Sequence, residues 1–452
     1  MLDYLIINAQ IVDPENGKDF PGSLGIKAGK IDNIYGNFSP LPSAKETIDA
    51  EGGYLIPGII DIHAHSENSI SCAEKLLAMG VTTAVSGNCG YSTANFKDFF
   101  GQYETTGYPV NQLEQAGHSI LRRIAGQNDI NAPASKHQTE EMKKLALKAF
   151  SEGASGISFG LEYDPGASAE EVSELSKVAA EEGRFISIHG RYIKQDDLDS
   201  LKEALDISIF TGAPIIYSHL VYMYDGEALK EAIRIITEYR QKKANIRADS
   251  GMYTAFATFA GSPYFDEEFF LNDESELKKL WAVTGKYTGQ CLSREKYIEL
   301  RTSLSNESII YDRGDNRDVY VAYSLPDVMV STDCIEYPKG QGHPQGSATY
   351  PFFFRRLVKE THQLSLHEAV RRCTLLPAEA AGLKTKGRLG CGMDADIVVL
   401  DWERLKEHAD FPGKGDPGAP PSGVKHVFVN GVLSIKDEKR LPGISAGFNI
   451  KR

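Results

Sequence analysis

The chain has 452 residues, 41% of them hydrophobic and 25% charged, with a formal net charge of −13 and an isoelectric point near 5.4. Its length allows one large domain with a substantial core plus a smaller one, its composition is that of a globular protein, and its acidic balance argues against nucleic acid or an anionic membrane as the main partner. No stretch approaches the roughly 18 apolar residues that span a bilayer, and the opening MLDYLIINAQIVDPENG lacks the basic and apolar regions of a signal peptide. A cytoplasmic enzyme acting on a small molecule is the expectation, and a homo-oligomer is compatible with it. Six scattered cysteines, Cys72, Cys89, Cys291, Cys334, Cys373 and Cys391, suit reduced thiols better than a disulfide framework.

Residues 3–53 hold short alternating runs broken by Gly, Pro and Asn, which read as strands and tight turns. The same texture returns in ADIVVLDWERL and VKHVFVNGVLSIKD, so residues 1–54 and 386–452 are expected to pair into one small β domain. From about 55 to 385 the pattern alternates apolar strands with amphipathic helices. Strands are predicted at 55–63, 81–88, 156–163, 185–189, 214–219, 245–249 and 327–332, with a weaker one near 115–120. Helices are predicted at Thr139 to Glu152, Ala169 to Glu182, Asp197 to Phe210 and Gly226 to Lys242. Eight strand–helix units fit a (β/α)8 barrel, with a doubly wound open sheet as the alternative. Residues 254–315 lack a strand rhythm and read as an insertion, a candidate lid. The Pro/Gly patch at 411–423 reads as a surface loop.

The first predicted strand, LIPGIIDIHAHSEN, ends in His63-Ala-His65. Side chains at i and i+2 of a strand point the same way, so two imidazoles can face one ion. Later strands place Cys89, His189, His219 and Asp333 at the same ends, where barrel enzymes keep their reactive groups. Singly, a cysteine after a strand is more often a small buried hydrophobe, and an aspartate there more often a turn former. Jointly the six form a ligand array. Mixed Cys and His ligation favours zinc, and a catalytic zinc keeps a position open for water. Asp333 reads as the proton carrier, as a further ligand, or as both.

These segments resemble the amidohydrolase superfamily, and within it the D-aminoacylase (N-acyl-D-amino-acid deacylase) family. The likeness rests on PGIIDIHAHSE, SGNCGYS, GHSILR, SGISFGLEYDPG, IHGR, YSHL, STDCIEYPKGQGHP and LSLHEAVRRCTLLPAEAAGL followed by KGRLGCGMDADIVVLD. The resemblance implies a TIM barrel with a small β-sandwich built from both termini. It implies that Cys89, His189 and His219 hold one zinc tightly, that His63, His65 and Asp333 form a weaker second site, and that Asp333 is the general acid/base. The fourth strand, SGISFGLEY, has no lysine, which disfavours the carboxylated-lysine centre of many relatives. Tyr163, Arg191, Tyr253 and His343 are the candidate substrate residues. The chain departs from the family where a substrate carboxylate would bind: Val221 replaces the usual lysine, Gln345 the usual arginine, and Asp249-Ser-Gly-Met-Tyr253 keeps only the second tyrosine of a D-x-Y-P-Y pattern. Without those cations a free carboxylate is expected to bind poorly. Hydrolysis of a linear amide is thus the leading expectation. Cyclic-amide hydrolysis, deamination, or a catalytically silent barrel used as a binding module are the alternatives.

Overall fold

Eight short parallel strands close into a barrel in the computed structural model, which describes residues 1–37, 39–191, 197–266 and 269–452, the side chain of residue 269 excepted. The first three are Ile59–Asp61, Val81–Ser86 and Asn111–Glu114, the last resuming after Gln115 as Ala116–Gly117. The other five are Gly156–Gly160, Phe185–His189, Ile215–Tyr217, Ile246–Ser250 and Val328–Val330. Each pairs in parallel with the next, as in Ser86 opposite Glu114, Gly160 opposite His189 and Ser250 opposite Val330. The ring closes just past the strand ends. There the Asp333 N–H donates to the His63 carbonyl and the His65 N–H to the Cys334 carbonyl, both at 2.8 Å.

The barrel strands are short and buried on both faces, so that apolar side chains need not alternate, as in Ile215-Ile216-Tyr217. Inside, Ile60, Ile62, Val85, Leu113, Phe185, Ile216 and Met329 form one apolar cluster, against which Ile450 of the final segment packs. A polar network also lies within. Gln115 donates to Asn88 at 2.8 Å, Ser187 donates to Gln115 at 3.0 Å, and Asn88 ties back to the Val85 carbonyl at 2.9 Å. It meets buried hydrogen-bonding demand that an apolar filling would leave open.

Outside, the predicted helices appear where the 3.6-residue period placed them. Lys136–Glu152 starts three residues early because Ser135 and Gln138 form a reciprocal capping box. Near 115–120 the strand is shorter than expected: the chain turns at Gly117 into a helix over His118–Ile124.

Strands from both ends of the chain share one nine-stranded sheet, in which Tyr54–Pro57 pairs antiparallel with Ile397–Leu400. Its inner residues, among them Ile6, Ile26, Leu55, Ile397 and Phe428, form a core of their own. The insertion at 254–315, read as lacking strand rhythm, contains a three-stranded antiparallel sheet of Ala255–Phe259, Leu280–Ala282 and Ser308–Asp312. Its aromatic residues face both inward and toward a cavity, which hides the alternation a one-sided strand would show. The Pro/Gly loop is not purely superficial either. Phe411 packs its ring 4.9 Å from His343 and 5.8 Å from Tyr253. No helix among the described residues is long and apolar enough to cross a membrane.

Candidate active site

All six predicted ligands stand at the C-terminal mouth of the barrel, and their donor atoms converge. His63, Cys89 and His219 offer donors within 4.8 Å of one another, as do His63, His65 and Asp333. Individual separations are short. Cys89 Sγ lies 3.3 Å from His63 Nε2 and 3.8 Å from His219 Nε2. Asp333 Oδ1 lies 3.5 Å from His63 Nε2 and 3.3 Å from His65 Nε2. A tetrahedral zinc with bonds of about 2.0–2.3 Å has ligand–ligand edges of roughly 3.3–3.8 Å. All four separations fall in that range.

The local backbone is shaped for this convergence. Cys89, His219 and Asp333 all adopt positive φ, at 52°, 37° and 49°, a conformation that costs non-glycine residues energy and collects at functional sites. The turn at Cys89 needs a bare neighbour, since a Cβ on Gly160 would fall 2.0 Å from the Cys89 carbonyl oxygen. At Asp333 the turn is braced by Gln345, whose Nε2 donates to the Asp333 carbonyl at 2.6 Å. Asp249, wholly buried, accepts from the His219 N–H at 2.9 Å and from the Ser331 hydroxyl at 2.6 Å, and its other oxygen lies 3.4 Å from His63 Nδ1.

His189 stands beside these triads rather than within them. Its ring lies 4.5 Å from that of His219, its Nε2 faces Glu162 Oε2 at 3.1 Å, and its buried Nδ1 has no hydrogen-bond partner. The resemblance grouped Cys89, His189 and His219 against His63, His65 and Asp333. His63 is common to both groups of converging donors, while His189 interacts with Cys89 and is also engaged by the Glu162 carboxylate, itself held by the Ser262 hydroxyl at 2.6 Å. His219 Nδ1 is likewise buried and unpartnered. Buried polar atoms are rarely left unpaired, so orphaned imidazole nitrogens around a thiol fit a metal centre.

The electrostatics point the same way. Burial alone would raise the Cys89 thiol, but His63 and His189 hold it well below its ordinary range. Burial would likewise raise Asp333, yet His65, His63 and His219 keep its carboxyl below the usual value. Thiolate and carboxylate are the forms that bind a metal ion.

Above the donors lies a cavity of about 460 Å³, lined by His65, Glu67, Cys89, Tyr91, Glu162, Tyr163, His189, His219, Tyr222, Asp333, Glu336, Tyr337 and Gln345, and roofed by Phe256, Thr258, Phe259, Tyr264 and Asn306 of the insertion. Tyr163 sits in its wall, stacked 5.6 Å from Phe259 and 3.3 Å by its hydroxyl from Thr258 Oγ1. The other candidate substrate residues are placed elsewhere. Arg191 is outside the lining: its guanidinium donates to the carbonyls of Pro165 and Ala167 at 2.7 and 2.9 Å and pairs with Glu203 at 3.0 Å. Tyr253 packs against His343 and Phe352. His343 is buried, with Nε2 3.1 Å from the Ala255 carbonyl and Nδ1 accepting from the Gln345 N–H at 3.0 Å. Burial holds its pKa down at about 4, leaving a neutral brace.

Sequence reasoning did not single out Asp249 as an orienting carboxylate, nor Glu162 or Tyr222. Asp249 and Glu162 were visible as acids at strand ends, and only their partners in space reveal the role. Tyr222 donates its hydroxyl to Gln345 Oε1 at 2.7 Å. A Cβ at residue 251 would come 2.5 Å from that hydroxyl, so Tyr222 fills space that Gly251 vacates.

Residues 54–433 match the model of the amidohydrolase family. The chain is 27% identical to the N-acyl-D-glutamate deacylase of Alcaligenes xylosoxydans xylosoxydans, over 95% of this chain and 93% of the relative. It is 26% identical to the D-aminoacylase of the same organism, over 98% and 96%. In three dimensions it is similar to the N-acyl-D-glutamate deacylase of Bordetella bronchiseptica, solved with zinc and a phosphonate inhibitor, with a TM-score of 0.87, 24% identity and all of both chains covered; at that identity the likeness speaks to the fold. With the family model spanning most of the chain, and a Cys/His/Asp donor array at the mouth of its barrel, the chain belongs to the amidohydrolase family and is a metal-dependent hydrolase.

Proposed function

We propose that this enzyme hydrolyses the C–N bond of a linear amide, in the manner of an N-acyl-D-amino-acid deacylase but on a substrate that departs from that class. The observation that carries the reading is the convergence of Cys89, His63, His219 and Asp333 donors at 3.3–3.8 Å beneath a roofed cavity. Zinc is the ion that this soft and borderline donor set suits, with one tight site around Cys89 and a weaker position at His63, His65 and Asp333. When bound, zinc supplies a Lewis acid and lowers the pKa of water.

The protein's own groups do the rest. Asp333, held ionised by the three histidines, accepts the proton of the attacking water and returns it to the departing amine nitrogen as the C–N bond breaks, giving a carboxylic acid and an amine. Gln345 holds the Asp333 turn, and Asp249 fixes the ring of His63. Phe256, Phe259 and Tyr163 wall the site from bulk water, which strengthens each charge–charge term inside. A cytoplasmic location is supported by the six cysteines, none of which forms a disulfide.

The test is an assay of zinc-loaded protein against N-acyl amino acids of both hands, N-acyl amines, esters and cyclic imides. Turnover confined to the linear amides is expected. Turnover confined to cyclic imides would sink the proposal.

A further inference from the structure

The cavity carries charge of one sign beyond what the donor set uses. Among the described residues its lining contains Glu67, Glu162, Asp333 and Glu336 and no lysine or arginine. Asp333 belongs to the ligands and Glu162 is engaged by His189 and Ser262. That leaves two carboxylates. Glu336 stands exposed on the lining and makes no ion pair among the described residues. Glu67 has one oxygen 3.9 Å from His65 Nδ1, and its other oxygen is buried without a hydrogen-bond partner.

The corner nearest Asp333 is closed to an anion by neutral groups. The Tyr222 hydroxyl donates to Gln345 Oε1 and the Gln345 amide donates to the Asp333 carbonyl. Each already makes a hydrogen bond within the protein, and neither brings a positive charge. Val221 is buried and does not line the cavity. Arg191 is turned away to carbonyls and Glu203. A substrate carboxylate entering here would lose its hydration with no lysine or arginine among the described lining residues to compensate, a cost that a buried anion seldom recovers. An ammonium meets the opposite situation. Tyr91 and Tyr337 also line the cavity, and aromatic faces attract cations. A cleft with acidic lining in a chain of net charge −13 further raises the local concentration of cations.

We infer that the substrate is a linear amide that bears a protonated amine, and no carboxylate, on the fragment flanking the scissile bond, with Glu336 as the group that reads the positive charge. The inference rests on the amide-hydrolase reading and names the substrate class of that same site.

The test compares three acetamides of similar size on zinc-loaded protein: N-acetyl-D-alanine, N-acetyl-D-alaninamide and N-acetyl-1,2-diaminopropane, an anion, a neutral molecule and a cation. The expected order of kcat/KM is cation, neutral, anion, with steps of about tenfold and an advantage of the cation that shrinks as salt rises. Glu336→Gln should cut the cation-to-neutral ratio by about fivefold, and Glu336→Lys should shift preference toward the anion. N-acetyl-D-alanine as the fastest substrate, or a cation-to-neutral ratio unmoved in Glu336→Gln, overturns the inference while leaving amide hydrolysis standing. No hydrolysis of any of the three by protein that demonstrably binds zinc overturns both.

Discussion

Asp249 lies 3.4 Å from Nδ1 of His63, so the carboxylate turns the other nitrogen of that ring toward Cys89 and Asp333. The same side chain accepts the N–H of His219 at 2.9 Å, in the strained turn that ends the sixth strand. One buried acid thus positions two candidate ligands. Carboxylates that orient a ligating histidine are typically worth about 10–100-fold in metal affinity. Asp249→Asn should therefore weaken zinc binding by about that factor in a chelator-competition assay, while Glu227→Gln, at an exposed ion pair with Lys230 on an outer helix, should leave it unmoved.

Asp333→Asn keeps the shape of the proton carrier but removes its basicity. The rate of amide hydrolysis should fall by about 10²–10⁴-fold, with zinc still bound at the Cys89 group by elemental analysis. Retention of the full rate would remove Asp333 from the chemistry.

The packing of Gly251 against Tyr222 yields a double-mutant cycle. Gly251→Ala places a methyl group 2.5 Å from the Tyr222 hydroxyl, an overpacking that should cost about 1–3 kcal/mol. In a Tyr222→Phe background the hydroxyl is gone, and the same change should cost distinctly less. Equal costs in both backgrounds, measured by urea denaturation, would show that the two residues do not share that space.

How much of this was legible beforehand can be seen at particular positions. His63 and His65 announced themselves because a strand puts i and i+2 on one side, and the donors Cys89, His189, His219 and Asp333 because each follows an apolar run. Those are local signals. Asp249 and Glu162 were equally near strand ends, but what an acid does there depends on which ring lies opposite, a tertiary fact. Arg191 looked available to a substrate because its charge is visible in sequence, whereas the carbonyls of Pro165 and Ala167 that occupy it are not. In the insertion, aromatic residues serve both a small core and the cavity roof, so no single period survives in residues 254–315.

Acid should destabilise the barrel through Glu171. Burial would raise its carboxyl above the ordinary 4.5, but His118 and Arg122 bring it down to about 2, with His118 Nε2 and Arg122 Nη1 at 2.8 and 2.6 Å. The folded-state value lies below the unfolded one, so the contribution is present above about pH 4.5 and is lost as pH falls toward 2. It amounts to something on the order of 3 kcal/mol. In urea denaturation followed from pH 6 to pH 3, Glu171→Gln should be less stable than the parent at pH 6 and should show a flatter decline. Parallel curves would remove this assignment.

The central claim is that hydrolysis depends on a metal held by the Cys89 group. The direct measurement is a zinc titration of metal-stripped protein while cleavage of an N-acyl amide is followed. Activity should rise from background and level off after about one equivalent of zinc, and Cys89→Ala should show none at the same zinc concentration. Undiminished amide hydrolysis by the stripped protein, or by Cys89→Ala, would contradict the account.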